Sequence, residues 1–253
     1  MGEPYVLYEV KDGICTLTLN NPAKRNAGTV ELQRDLEDAV TRADRDPEVR
    51  VVILTGKGPA FMAGADLNLI ERAEPLEYRN YTMVWRRLRH QMLSSAKPVI
   101  AAVNGYAYGA GSVIAWSCDL VVAAEEAKFG LQEILLGQFA AASFLPRAIG
   151  RMRAAELILL GKPITAQRAF ELGLVNWVVP LEELLPTARS IAAELAAKVP
   201  RSVAWAKQLL RWQSDMPEAI ADLVEVELNA LTFTDPEKRR VTREYVERVR
   251  RKS

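Results

Sequence analysis

Two short segments gather small residues directly behind apolar runs: "GPAFMAGADL" at 58–67, after the run 50–55, and "NGYAYGAGSV" at 104–113, after the run 98–103. In the second, Gly105, Gly109 and Gly111 fall within seven positions, and no charged side chain follows until Asp119. Backbone left bare at the end of a strand offers N–H groups to a developing negative oxygen, and two such amides facing each other would polarise a carbonyl. The same small residues also suit tight turns and close packing. Spacing alone leaves both readings open.

Other chemistries have less support. The single histidine, His90, lies in "RRLRHQMLSS" among basic residues, so a triad, a two-histidine metal site or a histidine base would rest on it alone; it reads as structural or solvent-facing. No metal is expected. There is no P-loop, and the glycine spacing of "GYAYGAG" does not match the dinucleotide fingerprint. Cys15 and Cys118 sit in apolar stretches without metal-ligand spacing, which reads as reduced, buried packing residues in a cytoplasmic protein. With 33 basic against 32 acidic residues, no global field draws the chain to nucleic acid or an anionic membrane. "MGEPYVLYEV" lacks the pattern of a signal peptide, and no apolar run approaches a membrane span.

The elements that must position these segments follow from periodicity. At 253 residues and 49% hydrophobic, the chain suits one large domain or a domain with a helical appendage. "YVLYEV" and "ICTLTL", joined by Lys11-Asp12-Gly13, read as a hairpin. From Thr29, Leu32, Leu36, Ala39, Val40 and Ala43 recur at helical spacing until Asp46-Pro47. "VRVVILTG", "KPVIAAVNG" and "CDLVVAAE" are continuous apolar runs, the pattern of strands covered on both faces. Helices are expected over 75–95 and 110–117, giving the order strand, helix, strand, helix, strand. Strands stop near "GLVNWVVP" at 173–180, and 182–198, 201–213, 217–232 and 236–250 all read as helix.

The blocks "LNNPAKRNA", "RVVILTGKGPAFMAGADL", "KPVIAAVNGYAYGAG", "CDLVVAAEEAKFGLQEILLG", "LPRAIG" and "AAELILLGKPITAQRAFELGLVNWVVP", in this order, resemble the crotonase, or enoyl-CoA hydratase/isomerase, superfamily. The resemblance implies an α/β fold, a crotonase-like spiral of ββα units over 1–195 that binds acyl-CoA, and a C-terminal helical trimerisation module over 196–253. It implies homotrimers, or hexamers built as dimers of trimers. Coenzyme A enters as part of the thioester substrate, with no separate cofactor. Carried over by position, the resemblance makes the N–H groups of Ala65 and Ala110 an oxyanion hole. Ala110 replaces a usual glycine and keeps the N–H wherever its φ is negative. Lys24, Arg25 and Ala27 fall in the block that cradles the adenine and phosphates, and Ala63, Asp66 and Leu67 are carried over as further CoA contacts. Asn68 stands where relatives often carry a lysine.

The family's two acid/base carboxylates map to Val113 and Glu133. Val113 cannot carry a proton. Glu133, flanked by Phe129, Leu131, Ile134, Leu135 and Leu136, should have a raised pKa that suits it to acid/base work. Hydration of a 2-enoyl thioester uses two carboxylates to grip a water, whereas 3-enoyl to 2-enoyl isomerisation needs one base. Isomerisation through Glu133 therefore ranks first. Hydration, as in fatty-acid or aromatic-acid degradation, comes second. A non-catalytic acyl-CoA-binding protein is a third reading, disfavoured by an ionisable group kept in oily surroundings. The loop in "LGQFAAASFLPR" is shorter than in relatives and has no glycine cluster, so Phe139 and Phe144 are expected to narrow an acyl pocket walled by 75–95 and 138–145. Trp205, Leu209, Leu210, Trp212 and "AIADLVEVELNAL" carry enough apolar surface to imply packing against neighbouring subunits.

Overall fold

The computed structural model describes residues 3–251. β1 (Val6–Lys11) and β2 (Ile14–Leu19) pair antiparallel, with Lys11 opposite Ile14. Between them Asp12 and Gly13 both have positive φ, the two-residue turn whose twist matches that of the flanking strands. Cys15, Leu17 and Leu19 are fully buried while the intervening residues of β2 are half-exposed, so this strand covers the core with one face. α1 (Val30–Arg45) starts at Thr29, whose hydroxyl accepts the Leu32 N–H, and buries Leu32, Leu36, Ala39, Val40 and Ala43.

From there the chain repeats one unit. β3 (Val51–Gly56) leads into β4 (Ala60–Met62) and then α2 (Leu67–Arg72) and α3 (Pro75–Ser94). β5 (Val99–Val103) leads into β6 (Tyr106–Tyr108) and α4 (Ala110–Ala115). β7 (Leu120–Ala124) leads into β8 (Lys128–Gly130), a 3-10 turn over Gln132–Leu136, α5 (Leu145–Ile149) and α6 (Arg151–Leu160). β9 (Ile164–Thr165), α7 (Ala166–Glu171) and β10 (Trp177–Val179) close the strand-bearing part. The first strand of each unit enters a six-stranded sheet, β1-β2-β3-β5-β7-β10, and the second enters a four-stranded sheet, β4-β6-β8-β9. The chain is thus a spiral of ββα units. The segments read above as small-residue punctuation contain β4 and β6, strands of three residues each, too short to leave a period. The simple alternation of strand and helix is corrected accordingly.

α8 (Leu181–Ala196) lays Leu184, Ala188 and Ala192 on Val51, Ile53, Ile100, Ala102 and Val122. This explains why β3, β5 and β7 are apolar throughout: their opposite face belongs to the main core. α9 (Pro200–Trp212), α10 (Glu218–Thr232) and α11 (Pro236–Arg250) follow. α9 docks through Lys207, a buried residue whose ammonium lies 2.8 Å from Asp119 Oδ2 and donates to the Met92 and Lys97 carbonyls, also at 2.8 Å. Gln208 donates to the Ser94 carbonyl and Arg211 to the Ser94 hydroxyl. α10 and α11 bury none of their residues, and Leu223, Val226 and Phe233 stand exposed. Among the described residues no helix is long and apolar enough to cross a membrane, and no cluster of three metal-ligating side chains occurs. Both cysteines are free; Cys15 is buried as expected, but Cys118 is only half-buried.

Lys207 satisfies a carboxylate and two carbonyls at once. Breaking such a buried pair from one side is expected to cost about 3 kcal/mol. Urea unfolding of Lys207→Met should show that loss as a lower midpoint.

Candidate active site

β4, β6 and β8 are adjacent parallel strands, so the residues just past their C-terminal ends meet at one edge of the small sheet. Past β4 lies Gly64, with φ +103°, and past β6 lies Gly109, with φ +52°. Side chains avoid this backbone region. A Cβ on Gly109 would sit 3.7 Å from Gly64 Cα, and one on Gly64 would sit 3.1 Å from the Tyr108 carbonyl oxygen. The two segments therefore touch backbone to backbone. Hydrogen bonds hold them there: Gly109 N–H donates to the Gly130 carbonyl at 2.8 Å, and Gly28 N–H to that of Gly64 at 2.7 Å. Ser112, buried in α4, donates to the Ala107 carbonyl at 2.6 Å and accepts the Gly130 N–H at 3.0 Å.

Ala65 and Ala110 come next in each segment, both partly exposed. Neither N–H meets an acceptor among the described residues. That of Ala110 is free because it opens α4, where the first amides have no partner within the helix. Ala110 has none of the positive φ found at Asp12, Arg25, Asn26 and Ala141, so its Cβ is unstrained where a glycine is usual.

Glu133 lies past β8, in the 3-10 turn. A Cβ on Gly109 would sit 2.9 Å from Glu133 Oε1, which places the carboxylate beside Gly109. Its other oxygen, Oε2, is buried without a hydrogen-bond partner. Burial raises the pKa above the ordinary carboxylate value, opposed in part by a hydrogen bond from the residue's own amide. The Tyr78 phenol on α3 is pushed up by burial and then by this carboxylate. Val113, one turn into α4, is half-buried and packs against the apolar core.

The turn 22–28 runs alongside 63–66. Ala63 N–H donates to the Arg25 carbonyl at 3.0 Å, Gly28 bridges to Ala65, and Lys24 Nζ lies 4.0 Å from Asp66 Oδ2. Arg25 and Asn26 both adopt left-handed backbone, and the Arg25 guanidinium lies 6.0 Å from the Tyr106 ring centroid. Asn26, wholly buried, accepts the Asn21 N–H at 2.8 Å and donates to the Ala60 carbonyl at 2.8 Å, which pins the turn. Lys24, Arg25, Ala27, Ala63 and Asp66 are thus gathered beside the glycine-led segments. Leu67 stands apart, 65% exposed at the start of α2, while Asp66 caps that helix by accepting the Asn68 N–H at 3.0 Å.

The profile of the enoyl-CoA hydratase/isomerase family matches residues 9–252. The chain belongs to this family. It is 34% identical to a crotonyl-CoA hydratase of Syntrophomonas wolfei over 92% of this chain and 91% of that protein. It is 40% identical to the 2,3-dehydroadipyl-CoA hydratase of Escherichia coli over 80% of each. An enoyl-CoA hydratase structure from Bacillus anthracis superposes with a TM-score of 0.92 at 31% identity, covering 96% of both chains. The ββα spiral is therefore the crotonase fold, and the chain is an enzyme of acyl-CoA thioesters.

Within that fold several side chains depart from the sequence reading. Phe139 is 74% exposed and narrows nothing: the loop carries it outward past Gln138, whose N–H bonds the Glu133 carbonyl. Phe144 is half-buried, beneath the Arg89 guanidinium at 4.4 Å. Ala141 takes φ +63°, a conformation costing alanine about 1 kcal/mol, in the loop that lacks the usual glycines. His90, by contrast, is exposed as expected, its pKa lowered by partial burial and then by Arg89, Arg211 and Arg86. Tyr78 and Asn26 were not singled out from sequence. Tyr78 shares a helix face with Tyr81 and Trp85 three and seven positions on, a signal that reads equally as packing.

A carboxylate whose pKa is higher in the folded than in the unfolded chain loses stability as pH rises through that interval. Glu133→Gln removes the ionisation. Its melting temperature should exceed that of the wild type at neutral pH and converge with it in acid below the ordinary carboxylate value.

Proposed function

We propose that the enzyme moves protons on an enoyl-CoA through an enolate, with Glu133 as the single acid/base and the Ala65 and Ala110 N–H groups as its oxyanion hole. The net reaction is 3-enoyl to 2-enoyl isomerisation. What carries this reading is one juxtaposition, the Glu133 carboxylate beside Gly109, the residue before Ala110, with Val113 in the place of a second carboxylate.

The thioester oxygen accepts both amides, and its carbonyl draws electron density from C2. Glu133 takes a C2 proton, the electron pair passes into the carbonyl, and the resulting dienolate rests on the two N–H groups. Glu133 then returns the proton at C4, so the double bond moves from C3–C4 to C2–C3 and no atom is gained or lost. Each well-placed oxyanion donor supplies roughly 3–4 kcal/mol, and a positioned base roughly 10²–10⁴-fold. The raised pKa of Glu133 brings the base closer to the strength its task requires. Lys24, Arg25 and Ala27 receive the adenine and phosphates, beside Ala63 and Asp66, with Leu67 at the outer rim.

Hydration is the second reading, favoured by the hydratase names of the relatives. In that case Glu133 alone orients the water that adds at C3 and supplies the proton to C2. The module over 196–253 assembles the chain into trimers through the exposed apolar face of α10, which Leu223 and Val226 occupy.

With 3-enoyl-CoA, Glu133→Gln should lower kcat by about 10³-fold; retained isomerisation overturns the assignment. Because the base works ionised, wild-type kcat/KM should fall as acid is added, through an apparent pKa above the ordinary carboxylate value, and the variant should lack this limb. Faster water addition to 2-enoyl-CoA than bond migration by the wild type selects the second reading. In sedimentation equilibrium, Leu223→Asp should shift a wild-type trimer towards monomer.

A further inference from the structure

Besides Glu133 Oε2, three buried side-chain polar atoms have no hydrogen-bond partner among the described residues: Trp85 Nε1, Arg89 Nε and Trp116 Nε1. All three stand on α3 or at the end of α4. Both helices come near Glu133. α3 reaches it through Tyr78, α4 carries Ala110 and Val113, and the loop 138–145 leaves Glu133 and returns to α3 where Phe144 meets Arg89. Trp85 has a packing role, since its ring occupies the space a Gly28 Cβ would need and its indole faces the Tyr81 hydroxyl. Arg89 and Trp116 have no such account.

Arg89 is half-buried and enters no ion pair or hydrogen bond among the described residues. The charged groups around it, Arg86, Arg211 and His90, are basic, and Arg211 is engaged by Ser94. Burial first, and then Arg86 and Arg211, lower its pKa. The guanidinium, with its Nε buried and without an acceptor, is destabilising where it stands. It is also ready to bind: its planar fork matches a carboxylate in two hydrogen bonds, and the Phe144 ring beneath it fixes the plane. Trp116, stacked on Phe129 with ring centroids 5.7 Å apart, holds a further N–H donor on α4, which packs against α3.

We propose that Arg89 sets acyl specificity at the far end of the pocket, and that the acyl chain this enzyme takes ends in a carboxylate received by the guanidinium, with the Trp116 indole N–H as second donor. This rests on the acyl-CoA reading above and names its substrate class, the monothioesters of dicarboxylic acids. A chain ending in methyl would leave the buried Nε without an acceptor, whereas a terminal carboxylate supplies an acceptor and the opposite charge, which no neighbouring group provides among the described residues.

The test is calorimetric titration with saturated, unreactive acyl-CoAs, each chain length supplied once with a terminal methyl and once with a terminal carboxylate. At the best chain length, the wild type should bind the carboxylate form about 10–100-fold more tightly. Arg89→Leu should abolish that preference without weakening the methyl form, and Arg89→Lys should keep part of it. Equal affinity for the two forms in the wild type overturns the proposal while leaving the acyl-CoA reading intact. A preference that survives in Arg89→Leu overturns the assignment to this residue. Failure to bind either form overturns both readings.

Discussion

The site depends on two backbones touching. Gly64 and Gly109 pack backbone against backbone, a Cβ on Gly64 coming within 3.1 Å of the Tyr108 carbonyl oxygen, and both hold the positive φ that side chains avoid. The N–H groups of the following residues, Ala65 and Ala110, meet no acceptor among the described residues. Gly111 extends the same constraint, since a Cβ there would lie 2.2 Å from the Met62 carbonyl oxygen. On the proposed reading, packing that close lets two backbone amides concentrate positive potential at one point, where the described residues hold no metal-ligating cluster.

The spiral explains why three distant segments converge. Each ββα unit gives its second strand to the same small parallel sheet, so equivalent positions of successive units become neighbours: 64–65 from the first, 109–110 from the second and 133 from the third. The proposed chemistry therefore sits just past strand ends anchored by the core. The anchoring also carries a burden, because Glu133 Oε2 and Arg89 Nε are both buried without partners in the folded chain. Such groups detract from stability, a cost that a site shaped for a ligand often carries.

Much of this was legible in residues alone, and what was missed shares a physical cause. The long helices were readable because a face repeating over thirteen or more residues, as in α1, α3 and α8 to α11, leaves a period. The continuous apolar strands declared their two-sided burial. β4, β6, β8 and β9 carry two or three residues each and leave no period, so the second sheet stayed hidden inside what looked like turns. The glycine clusters pointed to bare backbone but not to its use; Glu133 and Val113 acquired meaning only from resemblance to a family. Phe139 was misplaced because the exposure of a loop aromatic depends on the path of the loop. Tyr78, Asn26 and Arg89 matter through contacts across 30 residues or more, and no local pattern records those.

The docking of α9 has a reach beyond stability. Lys207, Gln208 and Arg211 take hold of Met92, Ser94 and Lys97, where α3 ends. The same helix carries Tyr78 and Arg89 to the interior. A substitution on the outer helices that tilts α9 is transmitted along α3 as along a lever. Substrate range can then drift over generations through surface changes, with the glutamate and the two amides left untouched.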